Sequence, residues 1–72
     1  MSKIHTYYYV FLNEEKEEYF NGGITFKNEW IDNLEYCYFV KDLSRAREVK
    51  NKIKQCYGVE CKIIKIELLE IE

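Results

Sequence analysis

Two segments, one towards each end of the chain, carry apolar or aromatic residues on both of their alternating faces. Residues 3–12 place two such sets on opposite faces, namely Ile4, Tyr8, Val10 and Leu12 on one and Tyr7, Tyr9 and Phe11 on the other. Residues 59–71 shift their apolar set from odd to even positions near Ile63 and Ile64, which predicts a β-bulge or burial on both faces. Strands of this kind lie inside a sheet or keep one face against a partner. We therefore predict two long strands, each with a second face that needs a cover.

Between these strands, one stretch has helical periodicity. Ala46, Val49 and Ile53 recur at steps of three and four and continue to Cys56 and Tyr57, which builds one apolar stripe over residues 43–57. Asp42 stands where an N-cap residue belongs, and Gly58 where a left-handed C-cap residue belongs. The pattern predicts one long helix with these two ends.

The remaining elements are shorter. Asn21-Gly22-Gly23 lies between the strand-like residues 17–20 and 24–27, and Asn-Gly in this setting favours a type I′ hairpin turn. Because residues 13–16 form a polar turn, residues 3–27 are predicted to form a three-stranded antiparallel meander. Asp32 is predicted to cap a short helical turn over residues 33–36, and residues 38–40 to be briefly extended.

The predicted fold is α+β, a single domain spanning all 72 residues in the order β-β-β-α-β. It has two layers, with one long helix packed on one face of an antiparallel sheet of about four strands. One helix covers one face only, so the other face would expose Tyr, Ile and Leu side chains. Such a patch favours a homodimer or a partner-binding surface.

The residues of common catalytic and metal sites are scarce. His5 is the only histidine, and with Ser2 and Ser44 it builds no convincing catalytic triad. No phosphate-binding glycine pattern is present. The chain has three cysteines, Cys37, Cys56 and Cys61. Their odd number argues against a closed set of disulfides, and their spacing matches no zinc site. This predicts three buried, reduced thiols in a cytoplasmic protein. We therefore expect no enzyme activity, cofactor or metal. No apolar run reaches the roughly 20 residues of a membrane span, and the first residues lack a signal-peptide cleavage site.

Charge is unevenly distributed along the chain. Residues 13–36 hold seven acids against two lysines, and residues 37–65 hold eight bases against three acids. The candidate acidic surface is the first turn, with Glu14, Glu15, Glu17 and Glu18; the candidate basic surface is the helix, with Arg45, Arg47, Lys50 and Lys54. On a helical wheel the bases divide between two flanks of the apolar stripe, which is typical of a solvated helix. Binding to nucleic acid or to an acidic protein are the alternatives.

Tyrosine is the most unusual component, with seven in the chain. Tyrosine combines an apolar ring with a polar hydroxyl and so suits surfaces that are buried only on binding. An ordinary core is the other interpretation, because a thin domain needs large residues. The candidate interface residues are Tyr7, Tyr9, Phe11 and Tyr19.

Two stretches of the chain resemble a known group of proteins. These are Ile24-Thr25-Phe26 through Val40-Lys41-Asp42-Leu43-Ser44-Arg45-Ala46-Arg47-Glu48-Val49, and then Gly58-Val59-Glu60-Cys61-Lys62-Ile63-Ile64-Lys65-Ile66. They are similar to small proteins encoded by phages and mobile elements of low-GC Gram-positive bacteria, several of which block host defences, including CRISPR effectors, by stoichiometric binding. The resemblance implies a non-enzymatic binding protein with a host protein or complex as partner. The alternative is a small nucleic-acid-binding regulator that uses the basic helix.

Overall fold

One antiparallel sheet carries one long helix on one of its faces in the computed structural model. The structure describes the backbone of residues 3–71 and the side chains of residues 7–67. Its elements are β1 (Lys3–Asn13), β2 (Glu18–Phe20), β3 (Trp30–Ile31), a 3-10 turn (Leu34–Tyr36), α1 (Leu43–Tyr57) and β4 (Lys62–Ile71). The four strands lie in the order β3-β2-β1-β4. The predicted α+β class and the order β-β-β-α-β are therefore confirmed. The predictions for Ser2 and for the side chains of Ile4 and His5 lie outside the described residues.

The ladder between β1 and β4 is the longest feature of the sheet. Its antiparallel register runs without interruption from Lys3 opposite Ile71 to Leu12 opposite Lys62. Of the two predicted alternatives, the bulge near Ile63 and Ile64 is absent, because both residues continue the same register, and burial on both faces is confirmed. The change from odd to even apolar positions reflects instead that both residues are half-buried, one on each face.

β4 begins at Lys62, three residues later than predicted. The preceding connection carries core residues of its own, since Cys61 is buried in the main cluster and Val59 packs against it. Apolar residues ahead of the strand thus serve the core from a loop, which the sequence pattern could not separate from the strand itself.

The predicted hairpin at Asn21-Gly22-Gly23 is wrong. The third strand is Trp30–Ile31, with Phe20 opposite Trp30, whereas residues 23–26 form a turn closed by a hydrogen bond from the Phe26 N–H to the Gly23 carbonyl (3.1 Å). Gly23 takes a positive φ of 66°, and Gly22 does not.

Burial of Phe26 explains this wider loop. Its ring lies 5.1 Å from that of Phe20 and stacks on that of Tyr57 at 5.7 Å, and the Tyr57 hydroxyl donates a hydrogen bond to the Phe26 carbonyl. Phe26 adopts a φ of 53°, a conformation that bulky residues rarely take. The aromatic contacts therefore outweigh the local preference of Asn-Gly for a tight turn.

The helix follows its prediction. α1 spans Leu43–Tyr57 and buries Ala46, Val49 and Ile53. Gly58 ends it with a φ of 68°, and its N–H donates to the Lys54 carbonyl (2.9 Å). Asp42 occupies the N-cap position, but its side chain makes no capping hydrogen bond. The short turn before the helix also forms, although Asn33 rather than Asp32 caps it, accepting from the Glu35 N–H at 2.9 Å.

The main core lies between α1 and one face of the sheet. Its fully or nearly fully buried members are Phe11, Phe20, Ala46, Val49, Ile53 and Cys61. No helix in the part of the chain that the structure describes is long and apolar enough to cross a membrane.

Candidate functional site

The second face of the sheet, opposite α1, is also apolar. Phe11, Phe20 and Ile63 belong to or pack against the core under the helix, so the residues next to them in each strand point the other way. We call this side the open face and define it by six half-buried residues: Tyr8, Leu12, Tyr19, Ile31, Ile64 and Ile66. Val10, which has the same orientation, is fully buried. The predicted apolar second face therefore exists.

Phe39 adds aromatic surface to the open face. The rings of Tyr8 and Phe39 lie 5.1 Å apart, and Phe39 remains 48% exposed. Leu34 and Tyr36, shortly before it in the chain, are also exposed, Tyr36 to 68%. Phe39 is not among the candidate interface residues predicted from the sequence, because a three-residue extended stretch gives no signal for the face it joins. Its aromatic character was the only available hint.

The four predicted interface residues divide between the two faces. Tyr19 lies on the open face, whereas Tyr7, Tyr9 and Phe11 alternate onto the helix side. The expectation that Tyr9 and Phe11 lie on an uncovered face is therefore wrong: Phe11 is fully buried, and Tyr9 packs against the core. Tyr7 is 40% exposed, with the Lys65 ammonium 4.1 Å from its ring centre. The four residues divide in this way because α1 packs on the odd-numbered residues of β1. The odd-numbered and even-numbered residues of β1 are both apolar, so the sequence does not show which set faces the helix.

The bases of α1 are dispersed, and several face acids or rings. Arg45 pairs with Glu48 at 3.4 Å and Lys54 with Glu60 at 3.1 Å, all four side chains being well exposed. Lys52 lies 4.6 Å from the centre of the Phe26 ring. The two other members of the candidate basic surface are Arg47, which is exposed, and Lys50, which is half-buried. The candidate basic surface is thus interrupted by partners of opposite charge.

The acidic turn is tied to the last strand. Glu14 pairs with Lys62 of β4 at 2.9 Å, and the Glu15 N–H donates to the Asn13 side chain at 3.1 Å. Glu17 lies in the turn with a φ of 54°, and Glu18 opens β2 opposite Asn13. Among the described residues, no group of three or more His, Cys, Asp or Glu side chains is placed to hold a metal ion.

A cleft of about 210 Å³ separates the turn at residues 23–26 from α1. Phe26, Tyr38 and Val49 supply apolar lining, and charged groups come from Arg45, Glu48 and Lys52. The lining includes no histidine, cysteine or serine. Its charged groups are those already engaged in the ion pair and the ring contact of α1, so the cleft offers no arrangement of nucleophile and base.

The three thiols differ in exposure. Cys37 and Cys61 are buried, and burial raises the pKa of each thiol, although the positive charge of Lys50 partly opposes this at Cys61. Cys56 is exposed. The prediction that all three are buried is therefore wrong for Cys56, because the apolar stripe of α1 ends through Tyr57 rather than through Cys56.

We expect one thiol to react with a maleimide in the native protein, because a thiol reacts as an accessible thiolate. Labelling followed by mass spectrometry should place the adduct on Cys56 and show two further adducts after denaturation. The Cys56→Ser variant should resist native labelling. Rapid native labelling of Cys37 or Cys61 would contradict the buried positions of those residues.

Three of the six large hydrophobic side chains that are exposed in the described part of the chain lie in residues 34–39, and one of them, Phe39, contacts Tyr8 of the open face. Exposed aromatic groups next to an apolar sheet face are typical of a binding surface. Comparison with protein-family models, with curated proteins and with solved structures finds no match to this chain.

Proposed function

We propose that the protein is not an enzyme and acts by stoichiometric binding, through the open face and Phe39, to a host protein or protein complex. The observation that carries this proposal is the contact between Tyr8 and Phe39, which presents a half-exposed aromatic ring beside an apolar sheet face. Aromatic anchors surrounded by apolar contacts supply much of the binding energy in protein interfaces. The proposal needs no cofactor.

The class of partner is proposed from the resemblance to small phage and mobile-element proteins. A protein of that kind would act in the cytoplasm of a bacterial host cell, as an inhibitor of a defence system such as a CRISPR effector. A second copy of the chain is the other occupant that the sequence predicts for the open face. In that case Phe39 would lie in a homodimer interface.

A nucleic-acid-binding role for α1 has weaker support. Binding to phosphates would compete with the ion pairs of Arg45 with Glu48 and of Lys54 with Glu60. Nucleic-acid-binding surfaces usually gather their bases on one face. The bases of α1 are instead placed on two flanks of its buried stripe.

The test uses Phe39→Lys, with Ile24→Lys as the matched control. Ile24 is 98% exposed and outside the open face, so both variants place a lysine at an exposed apolar position. A partner identified by pull-down from host lysate with nuclease is then purified and titrated by calorimetry. We expect one molar equivalent of partner to bind, with at least tenfold weaker binding by Phe39→Lys, since loss of one anchor costs about 2 kcal/mol or more. Ile24→Lys should bind normally.

Circular dichroism should show both variants folded. Recovery of nucleic acid in place of a protein, or equal binding by Phe39→Lys and the wild type, would contradict the proposal. Light scattering tests whether a second copy of the chain occupies the open face. If it does, Phe39→Lys should convert a wild-type dimer into a monomer.

A further inference from the structure

The last strand has a sequence that is antisymmetric in charge. Residues 62–70 read Lys-Ile-Ile-Lys-Ile-Glu-Leu-Leu-Glu, with Ile66 at the centre. Counting outwards from Ile66 in both directions, the first step meets Lys65 and Glu67, the next two meet isoleucine and leucine, and the fourth meets Lys62 and Glu70. A strand that pairs antiparallel with a copy of itself about Ile66 would therefore place every lysine opposite a glutamate and every apolar residue opposite another.

β4 is positioned for such pairing, because it is an edge strand. β1 lies on one side of it, and no other strand of the described chain pairs with its second side. Edge strands present backbone N–H and C=O groups that can pair with another chain, and proteins usually protect them with charged residues. In β4 the charges are arranged so that a second copy of the strand would neutralise them.

The backbone of β4 has the orientation that this register requires. Tyr9 and Val40 exchange two hydrogen bonds on the far side of β1 (2.7 and 3.1 Å), so the N–H and C=O of Tyr9 point away from β4. Because the direction of the backbone N–H and C=O groups alternates along a strand, those of Tyr8 and its partner Ile66 point towards each other. The backbone N–H and C=O groups of Ile63 and Lys65 then point outwards, away from β1. A two-fold axis at Ile66 pairs odd-numbered residues with odd-numbered residues, so outward-facing groups meet outward-facing groups.

The ladder with β1 does not place the lysines of β4 opposite acidic residues. Lys62 lies opposite Leu12 and Lys65 opposite Tyr9, and Lys62 pairs within the chain with Glu14 of the first turn at 2.9 Å. The neighbouring registers of a self-paired β4 are unfavourable. Moving the axis by one residue puts Lys65 opposite Lys65, or Glu67 opposite Glu67, and like charges directly opposite are destabilising.

We propose that the protein forms a two-fold homodimer in which β4 pairs antiparallel with β4 of a second copy, with Ile66 on the axis. The result is a continuous eight-stranded sheet in the order β3-β2-β1-β4-β4-β1-β2-β3. Both helices lie on the same side of this sheet. Ile63 packs towards α1, and the residue of the second copy opposite Ile63 points to the same face of the sheet. The two open faces then form one continuous surface, which leaves Phe39 outside the dimer contact.

The main test reverses the two central charges. Sedimentation equilibrium at micromolar concentration should show a dimer for the wild type. Lys65→Glu and Glu67→Lys should each weaken dimerisation by about tenfold or more, because the two-fold axis turns two attractive cross-strand pairs into repulsive ones. The double variant, Lys65→Glu with Glu67→Lys, should restore the dimer. An equimolar mixture of the two single variants should form a heterodimer, in which both pairs are again complementary.

A disulfide trap tests the register. Ile66→Cys in a Cys56→Ser background should form a covalent dimer on mild oxidation, because residue 66 faces its own copy only in this arrangement. Ile64→Cys in the same background is the matched control. It lies on the same face of β4 and faces residue 68 of the other copy, so it should remain uncrosslinked.

Three results would overturn the proposal. They are a wild-type monomer at high micromolar concentration, a dimer that resists both single charge reversals, and equal crosslinking of Ile64→Cys and Ile66→Cys. Thermal unfolding followed by circular dichroism separates a loss of dimer from a loss of fold, because Lys65 also contacts the Tyr7 ring. Should Lys65→Glu prove unfolded, Glu67→Lys and the cysteine pair still decide the question.

Discussion

Replacement of Gly22 by alanine is expected to remove a large part of the protein's net stability. Gly22 is buried, and a Cβ atom there would overlap the Lys27 carbonyl oxygen and the Phe20 ring. The backbone has little freedom to move, because the Gly22 carbonyl accepts the Lys27 N–H at 3.3 Å. Overpacking of this kind costs about 1–3 kcal/mol or more, and a domain of this size has a net stability of only about 3–5 kcal/mol.

Gly23→Ala is the matched control. Gly23 has a positive φ of 66°, but a Cβ atom there meets nothing within 4 Å. Only backbone strain remains, at a cost of about 1–2 kcal/mol. Urea denaturation followed by Trp30 fluorescence should therefore rank the wild type above Gly23→Ala and Gly23→Ala above Gly22→Ala. Equal midpoints for the two variants would show that the close approach at Gly22 is absent.

The two glycines show where sequence reasoning succeeded and where it failed. The type I′ turn predicted at Asn21-Gly22 requires a positive φ at both residues, which would by itself make Gly22 sensitive to substitution. The turn prediction assigned Gly22 a positive φ, whereas the structure needs it for close contact with Phe20. Phe26 decides this outcome through its contact with Tyr57, which lies 31 residues away along the chain. A window of a few residues contains no signal for such a contact.

The helix was predictable because its determinants are local. The spacing of Ala46, Val49 and Ile53 defines the buried stripe, and Gly58 ends the helix. The faces of β1 were not predictable in the same way. Tyr8 and Tyr9 are both aromatic strand residues, and only the packing of α1 decides that Tyr9 faces the core and Tyr8 the open face. The candidate site therefore follows from the sequence as an apolar second face, but its members depend on tertiary structure.

Replacement of Phe20 by alanine is expected to have the second large effect. Phe20 is fully buried and joins three other rings, with centroid distances of 5.1 Å to Phe26, 5.4 Å to Trp30 and 6.0 Å to Tyr38. Truncation of a buried phenylalanine costs about 3–5 kcal/mol through lost transfer energy and the cavity that remains. That range equals the net stability expected for a domain of this size, so we expect a large fraction of the variant to be unfolded.

Phe39→Ala provides the comparison for this prediction, because the same side chain is removed at a half-exposed position on the other face. Its unfolding midpoint in urea should remain close to that of the wild type. Trp30 reports both transitions, since its ring contacts that of Phe20. If Phe20→Ala unfolded at the same urea concentration as Phe39→Ala, the aromatic cluster would not be the centre of stability, and the core would depend on the contact of Phe11 of β1 and Ile53 of α1 with their shared cluster. A large loss with Phe20→Ala and a small one with Phe39→Ala would instead separate the residue that holds the fold from the residue that we propose for binding.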